Sequence, residues 1–231
     1  MKVRGVNSVA EAIKAGVVNK IYVDERAKSK RIELIVKQAK KLGIPVIFGR
    51  FEERIEADIS PVKYKDFEYV AEKTLKEGAF LLALDSVQDP QNLGAVIRAA
   101  EFFGCGGLII PKRRSAQVNE TVVRASAGAA LHLDIARVAN LANTLKSLKK
   151  MGFYVVGAEL NGKDIEDVYL DPPLVIVIGG EDRGISKPVL KQCDEIATIK
   201  PYGKINSLNL SNAAAIIMFE FRRRLSPKGF S

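Results

Sequence analysis

Five short apolar runs, FLLALDSV (80–87), LIIPK (108–112), FYVVGAEL (153–160), LVIVIGGE (174–181) and EIATIKPY (195–202), alternate with four stretches of helical spacing. The runs are continuous rather than alternating apolar and polar, the mark of strands buried on both faces, and strands separated by helices connect in parallel. The pattern predicts an α/β fold whose mostly parallel sheet is covered on both sides. In such sheets ligands bind beyond the carboxyl ends of the strands, so the loops after the runs are where chemistry is expected.

The first sixty residues have a different rhythm. VAEAIKAG, capped by Asn7 or Ser8, is followed by the β-rich KIYVDE, the amphipathic SKRIELIVKQAKKLG ending at Gly43, and the strand-like IPVIFG. This reads as a small α/β unit at 1–62, then a linker with a helix at 63–77, then the sheet domain at 78–231. At 231 residues the chain has room for two such units, each with its own core. The start lacks a signal peptide's apolar core and no apolar run nears the ~20 residues of a membrane span, so a cytoplasmic protein is expected. Only Cys105 and Cys193 occur, without neighbouring His, which supports neither a disulfide framework nor a metal site and reads as two reduced core thiols.

Net charge is +9, and residues 1–75 hold 16 basic against 11 acidic side chains. An excess of this size suits a polyanionic partner, and equally suits heat adaptation or solubility. Lys28, Lys30, Arg31, Lys37, Lys40 and Lys41 lie on or beside the amphipathic helix, where a solvated face and an RNA-facing surface explain them equally well.

Three loops hold polar residues beyond structural need. After the first run, Asp89-Pro90 favours a turn, Asn92 is a candidate helix cap, and Arg98 follows among apolar neighbours, either paired or aimed at an anion. After the fourth comes GGEDRGIS, neither a dinucleotide fingerprint nor a phosphate-binding P-loop. It suits an ordinary strand-to-helix turn capped by Ser186, or a turn whose backbone faces an adenosine-sized ligand with Glu181 as anchor. After the fifth, KPYGKINSLNLSN crowds Asn206, Ser207, Asn209, Ser211 and Asn212 against an apolar helix that needs one cap. The sole histidine, His132, reads as a half-buried strand residue, so neither a catalytic triad nor a His-rich metal site is expected.

Taken in order, NLGAVIRAAEFFG, LVIVIGGEDRGIS and IATIKPYGKINSLNLSNAAAIIMFE resemble the three motifs of the SpoU (TrmH-like) branch of the SPOUT RNA 2′-O-ribose methyltransferases. PKRRSAQVNETVVRASAGAA is similar to the matching segment of the bacterial 23S rRNA guanosine 2′-O-methyltransferases, and RGVNSVAEAI to IPVIFG resembles their ribosomal-protein-L30e-like domain. The resemblance covers nearly the whole chain. It implies a deep trefoil knot in the C-terminal sheet domain and S-adenosylmethionine (SAM) bound there by Gly179, Ile199 and Leu208. Catalysis would fall to Arg98, with Asn92, Glu181, Ser207 and Asn209 around it. It further implies RNA as partner, most specifically a guanosine of 23S rRNA, an L30e-like substrate-binding domain, and a homodimer through the C-terminal domain without metal. Arg113, Arg114 and Arg222 to Arg224 would then contribute to an RNA surface. Other targets in tRNA or rRNA, and an RNA-binding or assembly factor without turnover, are the alternatives. One departure stands out: Lys200 precedes Pro201 where the family commonly places Pro directly after the residue matching Ile199.

Overall fold

The computed structural model describes residues 1–181 and 183–225, apart from the side chain of Leu225. The N-terminal unit is built from β1 (Lys2–Arg4), α1 (Val6–Lys14), β2 (Val18–Asp24), α2 (Lys30–Lys41), β3 (Val46–Gly49) and β4 (Ile55–Ile59). Its sheet has the order β1-β4-β2-β3, with β2 and β3 parallel and β4 antiparallel to both its neighbours. Apolar residues at helical spacing, Val9, Ala12 and Ile13 on α1 and Ile32, Ile35 and Ala39 on α2, are buried against it. Neither Asn7 nor Ser8 caps α1. The helix begins a turn earlier, after Gly5 at φ 90°, a backbone angle that suits glycine.

Residues 60–66 lead to α3 (Phe67–Glu77), and the segment expected to be a linker is largely a layer of the second unit. Lys65 bridges to Ala136, Val70 and Ala71 of α3 are buried on the large sheet, and Lys73 pairs with Asp134 at 2.7 Å. The close fit has a sequence cause: a side chain at Gly107 would stand 2.1 Å from Val70, and one at Gly106 2.4 Å from Thr74.

The large sheet contains β5 (Phe80–Asp85), β6 (Gly107–Pro111), β7 (Ile135–Val138), β8 (Tyr154–Asp164), β9 (Leu174–Gly179) and β10 (Glu195–Thr198). All neighbours are parallel, in the order β10-β8-β9-β5-β6-β7. The central β5 and β9 are buried along their whole length, as their continuous apolar runs predict. Because side chains alternate faces, Phe80, Leu82 and Leu84 join one core while Leu81 and Ala83 join the other. The first face carries α4 (Pro90–Phe102), α5 (Glu120–Ala125) and α8 (Leu210–Leu225), and its core continues into the N-terminal unit. The second carries α3, α6 (Leu141–Lys150) and α7 (Lys187–Leu190).

Edge strand β7 is the element the apolar runs do not reveal, being four residues long and carrying Arg137. His132 is not in a strand. It ends a short 3₁₀ turn at 129–131, and its Nε2 meets Glu11 Oε2 of α1 at 2.9 Å, a tie between the two units. Gly128 beside it has φ 95°, and a side chain there would stand 2.5 Å from Glu11 Cβ.

The arginines at the end of α8 are engaged by the protein itself. Arg222 donates to the carbonyls of Phe103 and Gly104, and Arg224 to those of Val168 and Ile165. Arg223 and Arg224 both pair with Glu220 at 2.7 Å. Arg222 and Arg224 thus anchor the helix to neighbouring segments, whereas Arg223 pairs only within the helix and stays exposed. Cys105 is buried and Cys193 half-buried, and burial pushes both thiols up to about 12. Among the described residues no helix is long and apolar enough to cross a membrane, and no cluster of His, Cys, Asp and Glu is arranged to hold a metal.

Candidate active site

Three loops meet at the carboxyl ends of the central strands. At the end of β5, Asp85 is buried and its Oδ2 accepts the N–H of Ser186 at 2.8 Å, which binds the loop after β9 to the loop after β5. Asp89, not Asn92, caps α4: its carboxylate accepts from the N–H groups of Gln91 and Asn92, and Pro90 sits at the first helical position. Asn92 is thereby inside the first turn with its amide free for other use.

The loop after β9 closes tightly. Gly184 donates to the carbonyl of Gly180 at 2.9 Å, and a side chain at Gly179 would stand 2.0 Å from Gly184. A side chain at Gly180 would meet the carbonyl of Ser86 at 2.6 Å. Glycine is required at both positions by lack of space. The closed turn presents Glu181, whose Oε1 accepts Asn92 Nδ2 at 2.9 Å and Asn209 Nδ2 at 3.0 Å. Asn209 Nδ2 also lies 3.3 Å from Asn92 Oδ1. Asn209 has a second duty, since its Oδ1 accepts from the N–H of Ser211 at 2.9 Å and from the Ser211 hydroxyl at 2.6 Å, capping α8.

Beneath this cluster lies a cavity of about 1050 Å³ lined by the backbones of Gly179, Gly180 and Gly184 and by Ile199, Ser207 and Leu208. Its rim is apolar and open: Tyr202 and Ile205 are largely exposed. Backbone donors and acceptors beside apolar side chains suit a nucleoside-sized ligand. The Lys200-Pro201 pair forms part of the rim, where Lys200 Nζ holds Asp164 Oδ2 at 2.6 Å and fastens the loop to the end of β8. The bond raises the Lys200 pKa and lowers that of Asp164.

Of the sequence-derived candidates, Asn92, Glu181 and Asn209 are joined by hydrogen bonds, and Gly179, Ile199, Ser207 and Leu208 line the cavity below them. Arg98 is not brought to them. It lies on the exposed face of α4, and among the described residues it makes no ion pair. Two residues escaped the sequence reading: Asp85 and Glu159. Glu159 lines the cavity; its carboxylate accepts the N–H of Ile185, while its carbonyl accepts the Thr198 hydroxyl at 2.7 Å. Asp85 ends an apolar strand and Glu159 follows the apolar run of β8, an acidic residue after apolar ones being the available signal.

Residues 79–219 match the family described as "SpoU rRNA Methylase family", and residues 2–50 match "RNA 2'-O ribose methyltransferase substrate binding". A relative described as an uncharacterized tRNA/rRNA methyltransferase, from Archaeoglobus fulgidus, is 48% identical over 97% of this chain and 99% of its own length. Among solved structures, the SpoU methyltransferase AviRb from Streptomyces viridochromogenes, in complex with the cofactor AdoMet, is similar with a TM-score of 0.83 and 24% identity over 97% of this chain and 90% of that one. An AdoMet-bound rRNA methyltransferase from Sinorhizobium meliloti gives a TM-score of 0.78 at 24% identity, covering 97% and 87%.

Proposed function

Because this chain belongs to the SpoU rRNA methylase family, and is thus a SAM-dependent RNA 2′-O-ribose methyltransferase, we propose that its target is a guanosine of 23S rRNA. The observation that carries the site assignment is the glycine-walled cavity opening directly under the Asn92–Glu181–Asn209 cluster. The residues present fit SAM: the lining combines the backbone of Gly179, Gly180 and Gly184 with apolar Ile199 and Leu208, the mixture a nucleoside with an aliphatic tail requires.

Held by Gly179, Ile199 and Leu208, SAM would supply an electrophilic methyl group, its sulfur leaving as the neutral thioether when the ribose 2′-oxygen takes the methyl. Catalysis by this chain is then positioning and charge control. Glu181, held by two amides, has a fixed orientation from which to receive a ribose hydroxyl, and Ser207 lines the same space. Arg98 is assigned the developing alkoxide or the adjacent phosphate, a role that needs only its permanent charge. It reaches that role at a subunit seam. Phe102, one turn beyond Arg98, is 82% exposed, and Phe219 and Ile216 of α8 are also exposed. A homodimer through the C-terminal unit, burying that face, carries Arg98 into the interface. The trefoil threading of the chain after β9, the boundary near residue 62, the substrate-choosing role of the N-terminal unit and a cytoplasmic setting belong to the same proposal.

The test is transfer of labelled methyl from SAM to unmodified rRNA and tRNA by EDTA-treated protein, with primer-extension mapping of the product. Methylation of one 23S guanosine is expected without added metal. Transfer confined to tRNA, or to another nucleotide, overturns the target.

A further inference from the structure

A second cavity, of about 480 Å³, opens where the two units meet. Lys2 and Arg4 of β1 line one side, and Gln91 of α4 with Glu120, Thr121 and Arg124 of α5 the other. The charges around it do not balance. Glu56 serves two cations, Lys2 at 2.8 Å and Arg4 at 3.7 Å, and Glu120 Oε1 accepts the backbone N–H of Lys2 at 2.6 Å. Arg124 is exposed and, among the described residues, makes no ion pair. Three cations, Lys2, Arg4 and Arg124, line the space against the one lining carboxylate, Glu120; Glu56 and Asp58 behind them serve β1, and the Arg124 guanidinium is uncommitted among the described residues.

The place is as informative as the charge. Gln91 is the chain neighbour of Asn92, so this cavity and the Asn92–Glu181–Asn209 cluster share the first turn of α4. Its walls are also held in place. The Lys2–Glu120 bond spans the junction, as does the Glu11–His132 contact, and Gly94 of α4 sits so close to α5 that a side chain there would stand 2.4 Å from Ala125 Cβ. A preformed cleft with an open guanidinium fork suits a phosphodiester, which an arginine binds through two parallel N–H groups.

We propose that this interdomain cleft binds a backbone phosphate of the RNA beside the nucleotide whose ribose is methylated, with Arg124 as its main ligand and Arg4 as the second. The assignment rests on the RNA-methylating reading above and adds to it a position for the strand. It gives the docking of the two units a purpose, since each contributes one cation to the same phosphate.

Fluorescence anisotropy with a short labelled single-stranded RNA of mixed sequence, over a range of salt, tests it. Arg124→Glu should weaken binding on the order of tenfold, and Arg124→Gln should lower the slope of log K against log salt by about one. Arg4→Ala should act in the same direction. SAM affinity should stay at the wild-type value in all three, which also reports correct folding. Lys150→Glu, on the opposite face of the large sheet, is the control for general electrostatics. Wild-type RNA affinity and salt slope in the Arg124 variants, or an equal loss in Lys150→Glu, would overturn the proposal. A wild-type protein that binds the RNA through Arg124 yet methylates none instead removes the functional reading and leaves the cleft standing.

Discussion

A single side chain at this site often has two tasks, and Asn209 shows how they combine. Its carbonyl oxygen caps α8 while its amide nitrogen holds Glu181, so the helix and the carboxylate are positioned by one residue. Polar crowding before α8 is thereby partly explained: Asn209 and Ser211 build the cap, and Asn206 and Ser207 line the cavity. Arg98 is the opposite case, an exposed arginine with no ion pair among the described residues, so its removal leaves no buried charge behind. Arg98→Ala should accordingly keep the melting temperature and hold SAM affinity within a few fold, while turnover falls by roughly two to four orders of magnitude. Arg98→Lys distinguishes the roles, because lysine keeps the charge and loses the planar fork. Steady-state kinetics and calorimetry on both variants check this, and near-native turnover in Arg98→Ala would take the residue off the catalytic set.

Among the elements, α8 carries the cavity wall at one end and its anchor at the other. Ala213 and Ile217 line the cavity, while Arg222 and Arg224 tie the last turns to the loop after α4 and to residues 165–168. Glu220 sits between two arginines. Its bonds to Arg223, then to Arg224, hold its carboxyl down at about 2, against burial. In the unfolded chain the same group takes up its proton near pH ~4.3. Between those values the unfolded state binds more protons, so the stabilisation is full above about pH 4.3 and is lost as pH falls toward 2. Glu220→Gln should melt lower than wild type at neutral pH, and the gap should narrow as acid is added. A gap that stays constant in melting curves down to about pH 3 would show that the arginine cluster is not what holds α8.

At the scale of the molecule, two features decide what assembles. The small unit is locked to the large one by Glu11–His132 and Lys2–Glu120, so it has a defined station beside α5. The outer face of α4 and α8 leaves Phe102, Ile216 and Phe219 open to solvent, with Phe103 in ring contact with both Phe102 and Phe219. Light scattering at micromolar concentration should find a dimer, and Phe102→Asp combined with Phe219→Asp should find a monomer that still binds SAM. A wild-type protein that is monomeric in that measurement, or a double variant that stays dimeric, would refute the interface.

What the chain dictates locally could be read directly. Continuous apolar runs at 80–87 and 174–181 became the two fully buried central strands, since such a run can be satisfied only with cover on both faces. GGEDRGIS was legible as a turn after a strand, and of the three polar loops two line one cavity while the third joins them through Asn92 and Glu181. Tertiary structure decided the rest. Glu181 finds Asn92 across 89 residues and Asn209 across 28, and no local preference states which distant amide a carboxylate will meet. The cap of α4 went to Asp89 because Pro90 begins the helix there, freeing Asn92 for Glu181. His132 became a joint between units and Arg222 and Arg224 became anchors, for a charged or polar side chain takes its role from whatever carbonyl or carboxylate the fold brings within reach.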